Sequence, residues 1–458
     1  MDGSWLWGIE MLRRLLFVLL ATCSASVAAA ERELTPAERG QKSLETTATI
    51  KAFWPKVSYD NAWKVWGLKE KPANYAALFR ERYGLHEAPY ANDGFPMGLR
   101  KADMLFGKGI GIDCMTCHGG SILGKSMIGL GNSSLDVEAL FEEMAAAANS
   151  PAKVPFAFTR TRGTNEAGGF AVYLLGYRTD DLNLTPIFRE LGLHDDSCED
   201  TPAWWLLKKK KTMYHVGATD SRSVRSLMQF MMHPLTTPSE FRNSEPMFKD
   251  IQQYLLSLKA PKYPFDVDAV KAKAGKALFA TNCAKCHGTY GDDWTYPNRI
   301  VSLDDIGTDR KRFENIGTKF AAAYNTSWFA KEATGSWFFP GYPIRETDGY
   351  QAPPLDGIWA TAPYFHNGSV PTLDGVLNTK ARPEIFTRSF RTGEADYDQN
   401  KVGWKTTEVP APKATVAAIE RRKVYDTNQS GRGNGGHTYG DKLTDEQRSA
   451  VIEYLKTL

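Results

Sequence analysis

The sequence predicts a mainly α fold built from two similar halves that carry long loop insertions. Three observations lead to this prediction. A C-x-x-C-H motif occurs twice, at residues 114–118 and 283–287. Each motif is followed, much later, by an apolar helical stripe that ends in Tyr-Leu-x-x-Leu, at residues 248–258 and 451–458. The run Ala-Pro-Lys-Tyr-Pro at residues 260–264 separates the halves, because proline does not continue a helix.

Composition limits the class of protein. The chain has 458 residues, of which 42% are hydrophobic and 24% are charged, an ordinary globular balance. This balance excludes a wholly disordered, collagen-like or multi-span membrane protein. Lys and Arg (56) barely outnumber Asp and Glu (53), so the formal net charge is +3. Nucleic-acid binders are usually strongly basic, and we therefore expect no nucleic-acid partner.

The first 30 residues have the pattern of a secretory signal peptide. Arg13 and Arg14 precede an apolar run at residues 15–20, and small residues continue to Ala30. A basic segment, a short apolar segment and an Ala-x-Ala end are the three parts of such a signal. The apolar run is too short to cross a bilayer of about 30 Å as a helix. We expect export to the periplasm and no membrane span in the mature chain.

The two cysteine motifs predict covalently bound haem. Their residues are Cys114, Cys117 and His118 in the first motif, and Cys283, Cys286 and His287 in the second. In c-type haem attachment, both thiols bond to one porphyrin edge and the adjacent histidine is the proximal iron ligand. A redox pair or a disulfide would not need that histidine in both copies, and a zinc site would need further ligands at close spacing. The sequence thus predicts two c-type haems.

The second half has the element order of a cytochrome c domain. A helix is predicted over residues 266–281, with Val267, Val270 and Leu278 on its apolar side, and it leads into the second motif. Thr444 and Gln447 form a capping box before the closing apolar stripe. Helix, motif, long loops and closing helix therefore follow one another in the cytochrome c order.

The first half repeats this order with one departure. Its closing helix is predicted to begin at residues 244–246, where serine is a suitable N-cap and proline suits the first turn. Residues 106–112 are too rich in glycine for a helix, so we expect the chain to enter the first motif from a loop. Residues 136–148 should form a packing helix beside the first haem. We predict two cytochrome c-like domains with long loop insertions, at residues 31–262 and 265–458.

The sixth iron position decides between electron transfer and chemistry, because a second ligand closes the iron whereas an open position admits peroxide or O₂. His437 lies in a glycine-rich loop and His366 in an aromatic loop, and either is a candidate second ligand of the C-terminal haem or a turn residue bonded to backbone. For the N-terminal haem, His215 and Met127 are weak candidates. The tryptophans at residues 204–205 could cover that haem without binding iron. This asymmetry predicts a closed C-terminal haem and an open N-terminal haem.

Residues 356–373, Asp-Gly-Ile-Trp-Ala-Thr-Ala-Pro-Tyr-Phe-His-Asn-Gly-Ser-Val-Pro-Thr-Leu, taken with both motifs, resemble the bacterial di-haem cytochrome c peroxidase superfamily. Within it the chain is most similar to the branch of the di-haem rubber oxygenase. Segments 110–119, 275–279, 306–309 and 433–437 support this. The resemblance implies two facing cytochrome c domains that exchange electrons. It also implies that His437 is the second ligand of the C-terminal haem, that His366 shapes the haem surroundings, and that the N-terminal haem is the oxygen-active one.

Two further features each have alternative interpretations. The run Lys208–Lys211 is either a solvated helix face or a docking patch for an acidic redox partner. Cys198 is the cysteine of the mature chain that belongs to neither motif, and its acidic neighbours should raise its pKa. An unreactive thiol is the simpler interpretation.

These observations together predict a haem-dependent oxidoreductase of the peroxidase or oxygenase type. The C-terminal haem would relay electrons, and the N-terminal haem would bind peroxide or O₂. A small redox protein would donate or accept the electrons. The alternative is a pure periplasmic electron carrier with both haems six-coordinate, and a non-catalytic haem sensor is a third hypothesis.

Overall fold

Helices provide the framework of the protein. The computed structural model describes residues 32–150, 156–165, 167–193, 196–315, 317–334 and 341–458, so the signal-peptide prediction lies outside the described residues. The α-helices are Pro36–Thr46, Lys56–Val65, Tyr75–Tyr83, Met115–His118, Val137–Ala147, Ala167–Gly176, Val224–Met228, Pro238–Ser257, Ala269–Asn282, Ala284–His287, Leu303–Ile306, Lys311–Glu314, Thr318–Thr326, Leu373–Leu377, Ala418–Arg421 and Asp445–Leu455. Short 3₁₀ helices are Trp204–Lys209, Gln229–Met231, Ile358–Ala360, Thr379–Ala381, Glu394–Asp396 and Thr438–Gly440.

Short antiparallel strands accompany the helices. They are Trp54–Pro55, Leu99–Asp103, Lys108–Ile112, Gly119–Ile122, Lys125–Ile128, Thr212–Met213, Thr219–Asp220, Ile300–Ser302, Gly349–Gln351, Ile385–Thr387, Tyr397–Asp398, Gly403–Trp404, Thr407–Glu408 and Val424–Asp426. In the described parts of the chain they form six small sheets of two or three strands. The prediction of a mainly α fold is therefore right only in part, because the long loops are stiffened by strand pairs.

Two crossing helices, Ala269–Asn282 and Asp445–Leu455, close the second half. Gly275 lies at the crossing, since a Cβ atom there would come within 1.9 Å of the carbonyl oxygen of Ala450. Phe279 is buried four positions further along the same side. The predicted capping box of the closing helix is confirmed. The side chain of Thr444 accepts a hydrogen bond from the amide of Gln447, and the side chain of Gln447 accepts one from the amide of Thr444.

The apolar side predicted for the helix before the second motif is wrong. Val270 is 81% exposed, whereas Ala272, Gly275 and Phe279 face the partner helix. Small residues let two helix backbones approach closely, and here that contact outweighs the burial of one valine. Of the predicted apolar side, Leu278 does pack against the hydrophobic cluster of the second half, so the prediction misplaced the contact side without inverting it.

The first half contains the same crossing helix pair, which the sequence did not predict. Pro36–Thr46 crosses Pro238–Ser257, and a Cβ atom at Gly40 would lie 2.0 Å from the carbonyl oxygen of Asp250. Leu44 is buried four positions after Gly40, just as Phe279 follows Gly275. The first half therefore repeats the framework of the second, with residues 47–113 inserted between its first helix and its motif.

The predicted start of the first closing helix is wrong by more than one turn. The helix begins at Pro238, and Thr237 with Glu240 forms a full capping box. Pro246 lies inside the helix. The sequence contains two possible start signals in succession, Thr237-Pro238 and Ser244-Glu-Pro246. The earlier one is used because Thr237 and Glu240 satisfy free backbone amides at the start of the helix.

The approach to the first motif is a strand. Lys108–Ile112 pairs with Leu99–Asp103 in a hairpin, so the glycine-rich run is correctly predicted to avoid a helix but is more regular than a loop. The packing helix after the motif is confirmed as Val137–Ala147, and the side chain of Asp136 caps it by accepting from the amide of Ala139.

Residues Pro36–Leu458 form one compact unit. One hydrophobic cluster includes Ala203 and Trp205 from before the predicted boundary together with Trp359 and Val451 from after it. The indole of Trp205 also donates to the carbonyl of Asp356 at 2.8 Å. Among the described residues, no helix combines the length and apolar character that a membrane crossing requires.

Candidate haem-binding sites

The first motif is presented by a hairpin and a buried ion pair. Asp113 follows the strand and accepts from the Nε of Arg100 at 2.5 Å, and both side chains are almost fully buried, at 3% and 6% exposure. The other oxygen of Asp113 accepts from the amide of Met115 at 2.8 Å. That bond starts the single helical turn Met115–His118. The carboxylate of Asp113 therefore fixes both the hairpin and the motif.

The second motif is presented by the helix Ala269–Asn282, which runs directly into Cys283. The amides of Cys286 and His287 both donate to the carbonyl of Cys283, at 3.0 and 3.1 Å. Gly288 then leaves the turn at a φ of +81°, a backbone conformation that favours glycine. The first motif has the same bond, from the amide of His118 to the carbonyl of Cys114 at 2.9 Å.

Both motifs line one large, mainly apolar cavity of about 540 Å³. The crossing helices contribute equivalent residues to its wall in the two halves. These are Leu44, Ile251 and Leu255 from the first half, and Phe279, Val451 and Leu455 from the second. An apolar wall beside paired thiols and a histidine fits a flat apolar macrocycle.

The motif thiols do not have the character of a redox pair. The four cysteines are half-buried and form no disulfide. Burial raises the pKa of Cys114 and of Cys117 to about 12, and that of Cys283 to about 11. A thioredoxin-like pair works through a lowered thiol pKa. The raised pKa values argue against thiol redox chemistry at these three cysteines.

The motif histidines are neutral imidazoles at neutral pH. Burial lowers the pKa of His118 to about 4 and also lowers the pKa of His287. Nδ1 of His287 donates to the carbonyl of Pro353 at 2.8 Å, which leaves Nε2 to bind iron. Nδ1 of His118 is buried and meets no partner in hydrogen-bonding geometry among the described residues, although the carbonyl of Pro202 lies beside the ring.

His437 lies opposite His287. The two ring centres are 6.3 Å apart. Two nitrogen–metal bonds of about 2 Å, plus the distance from each ring centre to its nitrogen, add up to roughly this separation. Burial lowers the pKa of His437 to about 4, so its imidazole is neutral and able to bind a metal. This arrangement fits an iron held between two imidazoles.

The loop before His437 is held in place by the neighbouring loop at residues 306–307 and by the side chain of Arg382. Gly436 has a φ of +74°, and a Cβ atom there would lie 2.3 Å from the carbonyl carbon of Gly307. The amide of His437 donates to the carbonyl of Ile306 at 2.8 Å. The guanidinium of Arg382 donates to the carbonyls at residues 434 and 436, at 2.6 and 2.9 Å. The glycine-rich sequence therefore serves close packing.

His366 lies between the loops that contact the two motif histidines. Its carbonyl accepts from the amide of Asp200 at 2.8 Å, two residues before Pro202. Its ring stacks on Tyr350, three residues before Pro353, with a centre distance of 4.0 Å and an angle of 16°. Burial holds the pKa of His366 well below its usual range, and its Nε2 has no partner among the described residues.

His215 lies next to His366, between the same two loops. Its ring centre is 6.4 Å from that of His366, and its Nε2 donates to the carbonyl of Asp200 at 2.8 Å. The carbonyl of His215 accepts from the amide of Gln351 at 2.7 Å. Because this ring nitrogen is already bonded to backbone, His215 is poorly suited to binding iron through it. The sequence could not indicate the contacts of His215 with His366 and Gln351, because these residues lie more than a hundred positions further along the chain.

The surroundings of His118 differ from those of His287. Trp204 stacks on the imidazole of His118 with a centre distance of 4.6 Å and an angle of 21°, and an indole cannot ligate iron. Met127 does not line the cavity, whereas Met213 does. The second tryptophan, Trp205, is buried and points to Asp356.

The lysine run is not a uniformly solvated face. Lys208 and Lys211 are exposed, but the ammonium of Lys209 is buried and bonds to Asp356 at 2.8 Å. It also lies over the rings of Tyr290 and Trp294, at 4.6 and 4.8 Å. Lys210 turns toward the cavity. Only half of the run remains for a docking patch.

Cys198, which lies far from both motifs in the sequence, is buried. Its sulfur lies 3.3 Å from the hydroxyl of Thr164 and 3.8 Å from that of Tyr425. Its pKa is raised mainly by burial, with Asp196 contributing in the same direction. The thiol therefore packs as a small apolar group.

Two family profiles match the chain. The family described as RoxA-like, cytochrome c-like matches residues 349–387, which include Tyr350, Pro353 and His366. The cytochrome c family matches residues 272–338, which include the second motif. Two segments of the chain are therefore similar to cytochrome c domains, one of them RoxA-like, and this similarity supports covalently bound c-type haem and electron transfer. The first motif lies outside both matched segments.

Two curated relatives come from Sinorhizobium fredii. The uncharacterized protein y4iM is 34% identical over 245 residues, which cover 45% of this chain and 53% of the relative. The uncharacterized protein y4iJ is 28% identical over 261 residues, covering 44% of this chain and 41% of the relative. The matched region thus spans about half the length of these relatives.

The buried pair of Asp113 and Arg100 makes the first motif sensitive to one charge. Asp113→Asn should destabilise the protein by about 3–5 kcal/mol, because it leaves the Arg100 guanidinium buried and unpaired. Asp103→Asn in the same hairpin removes an exposed pair with Lys108 and should cost about 0–1 kcal/mol. Thermal unfolding of both variants measures the difference, and equal losses would contradict the role of Asp113.

Proposed function

We propose that this chain is an exported di-haem oxidoreductase of the peroxidase or oxygenase type. Its C-terminal site serves as an electron relay, and its N-terminal site is where peroxide or O₂ binds. The observation that carries the proposal is the unequal surroundings of the motif histidines. The ring of His437 lies 6.3 Å from that of His287, whereas among the described ring pairs His118 contacts no second imidazole and only the indole of Trp204 stacks beside it.

The repeated framework supports two haems. Each half has a helix pair that crosses at a glycine, Gly40 or Gly275, and each pair turns an apolar side toward the cavity. Each half also places a neutral histidine beside a proline carbonyl, Pro202 or Pro353. The same local design in both halves is expected if each holds the same group.

The N-terminal site is lined by aromatic side chains. Phe141, Phe158 and Phe170 line the cavity and belong to the cluster that packs against Cys117. None of these side chains can ligate iron. An iron position bordered by such a wall would remain accessible to a small diatomic or peroxide molecule.

The residues between the sites support electron exchange. Haem iron supplies reversible one-electron chemistry and, where a coordination position is open, binding of peroxide or O₂. The stacked rings of Tyr350 and His366 lie between the segments that contact His118 and His287. The backbone amide of Asp200 donates to the carbonyl of His366, and that of Gln351 donates to the carbonyl of His215. These hydrogen bonds hold the segments together and so fix the distance between the two sites.

We further propose that the protein works in the periplasm with a small redox protein as electron donor or acceptor. The signal-peptide pattern of residues 1–30 supports the compartment. The exposed Lys208 and Lys211 remain available to an acidic partner surface.

A second function is favoured by one observation. Met213 is buried and lines the cavity, and a thioether can serve as a sixth haem ligand. If it closes the N-terminal iron, the protein is a pure electron carrier.

Spectroscopy separates the two functions. In the oxidised protein, one haem should be high-spin or exchangeable and should shift on addition of cyanide, because no strong ligand closes the N-terminal iron. Optical and EPR spectra before and after partial reduction provide the measurement. Two low-spin haems that ignore cyanide in both states would establish the carrier instead.

The role of His437 can be tested separately. His437→Ala should convert the C-terminal haem from low-spin to high-spin, because it removes the imidazole opposite His287. His233→Ala is the matched control, since His233 is also buried but does not line the cavity. If EPR of the His437 variant is unchanged and His366→Ala produces the high-spin signal, then His366 is the ligand.

A further inference from the structure

The ammonium of Lys210 is an unusual feature of the cavity wall. Lys210 follows the 3₁₀ helix Trp204–Lys209 in extended backbone conformation, so its side chain leaves the run in a different direction from that of Lys209. Its amide donates to the carbonyl of Leu207 at 3.0 Å, and its carbonyl accepts from the hydroxyl of Ser221 at 2.6 Å. The backbone at Lys210 is therefore fixed, and the side chain lines the cavity.

The other charges of the cavity wall are balanced. Asp113 pairs with Arg100, and Glu199 pairs with Arg312 at 3.2 Å. Burial and the neighbouring Glu199 raise the pKa of Asp200 well above its usual range, which disfavours the charged form of that carboxyl. Lys285 is exposed.

Lys210 has no such partner. In the part of the chain that the structure describes, no carboxylate lies within ion-pair distance of its ammonium. Burial lowers the pKa of Lys210 to about 8, and no acidic group opposes this effect. The ammonium is still mostly charged at neutral pH, and a buried charge is costly unless an opposite charge pairs with it.

We infer that the ammonium of Lys210 pairs with a haem propionate. Haem is the anionic group that the two motifs would bring into this cavity, and its carboxylates would supply the ion-pair partner that Lys210 lacks. The inference rests on the proposed haem content, because Lys210 needs a macrocycle within the cavity. Lys210 would thus position the ring edge opposite the thioethers and tune its reduction potential, since a nearby cation favours the added electron.

The test compares Lys210→Met with Lys210→Arg and with Lys208→Met, a matched loss of charge from the exposed part of the same run. Spectroelectrochemical titration measures the midpoint potential of each haem, and pyridine haemochrome measures haem content. Lys210→Met should lower one potential, by up to a tenfold change in the reduction equilibrium, or about 59 mV for one electron. Lys210→Arg and Lys208→Met should keep both potentials.

The outcomes separate this inference from the proposed function. A wild-type protein without the expected haem would refute the proposed function. Full haem content with unchanged potentials in Lys210→Met would overturn the role of Lys210 alone. A wild-type potential that varies with phosphate concentration would indicate a dissolved anion at Lys210 and would overturn the propionate. Loss of haem in Lys210→Met with retention in Lys210→Arg would support the pairing, whereas loss in both would show a structural role and overturn it.

Discussion

The apolar cavity that both C-x-x-C-H motifs line is the constraint on which the rest of the structure depends. Leucine, valine and phenylalanine line this cavity of about 540 Å³, so its wall suits a large apolar group. The crossing helix pairs, the hairpin before Cys114 and the loop before His437 all serve to shape this wall.

The sequence was sufficient to predict the features that depend only on residues close to one another along the chain. The two motifs, the capping box of the last helix and the helix after Asp136 need only residues a few positions apart. The helix Pro36–Thr46 was missed because its sequence is polar, with only Gly40 and Leu44 at the contact. The pattern of glycine followed four residues later by a large apolar residue occurs again at Gly275 and Phe279, and that repeat could have revealed it.

Features formed by distant segments could not be predicted. The stack of His366 on Tyr350, its proximity to His215 and the ion pair of Lys209 with Asp356 all depend on how the halves pack. The lysine run shows this most clearly. Four identical residues have three different environments, because a 3₁₀ helix ends within the run and sends successive side chains to solvent, to a carboxylate and to the cavity.

The central claim is that this single chain carries two haems bound through thioether bonds. Intact-mass spectrometry of the denatured protein, produced in a host with cytochrome maturation machinery, tests it most directly, since only covalent haem survives denaturation. The expected mass is that of the polypeptide plus two haem groups. A mass increased by one haem, assigned by peptide mapping to the second motif alone, would contradict it.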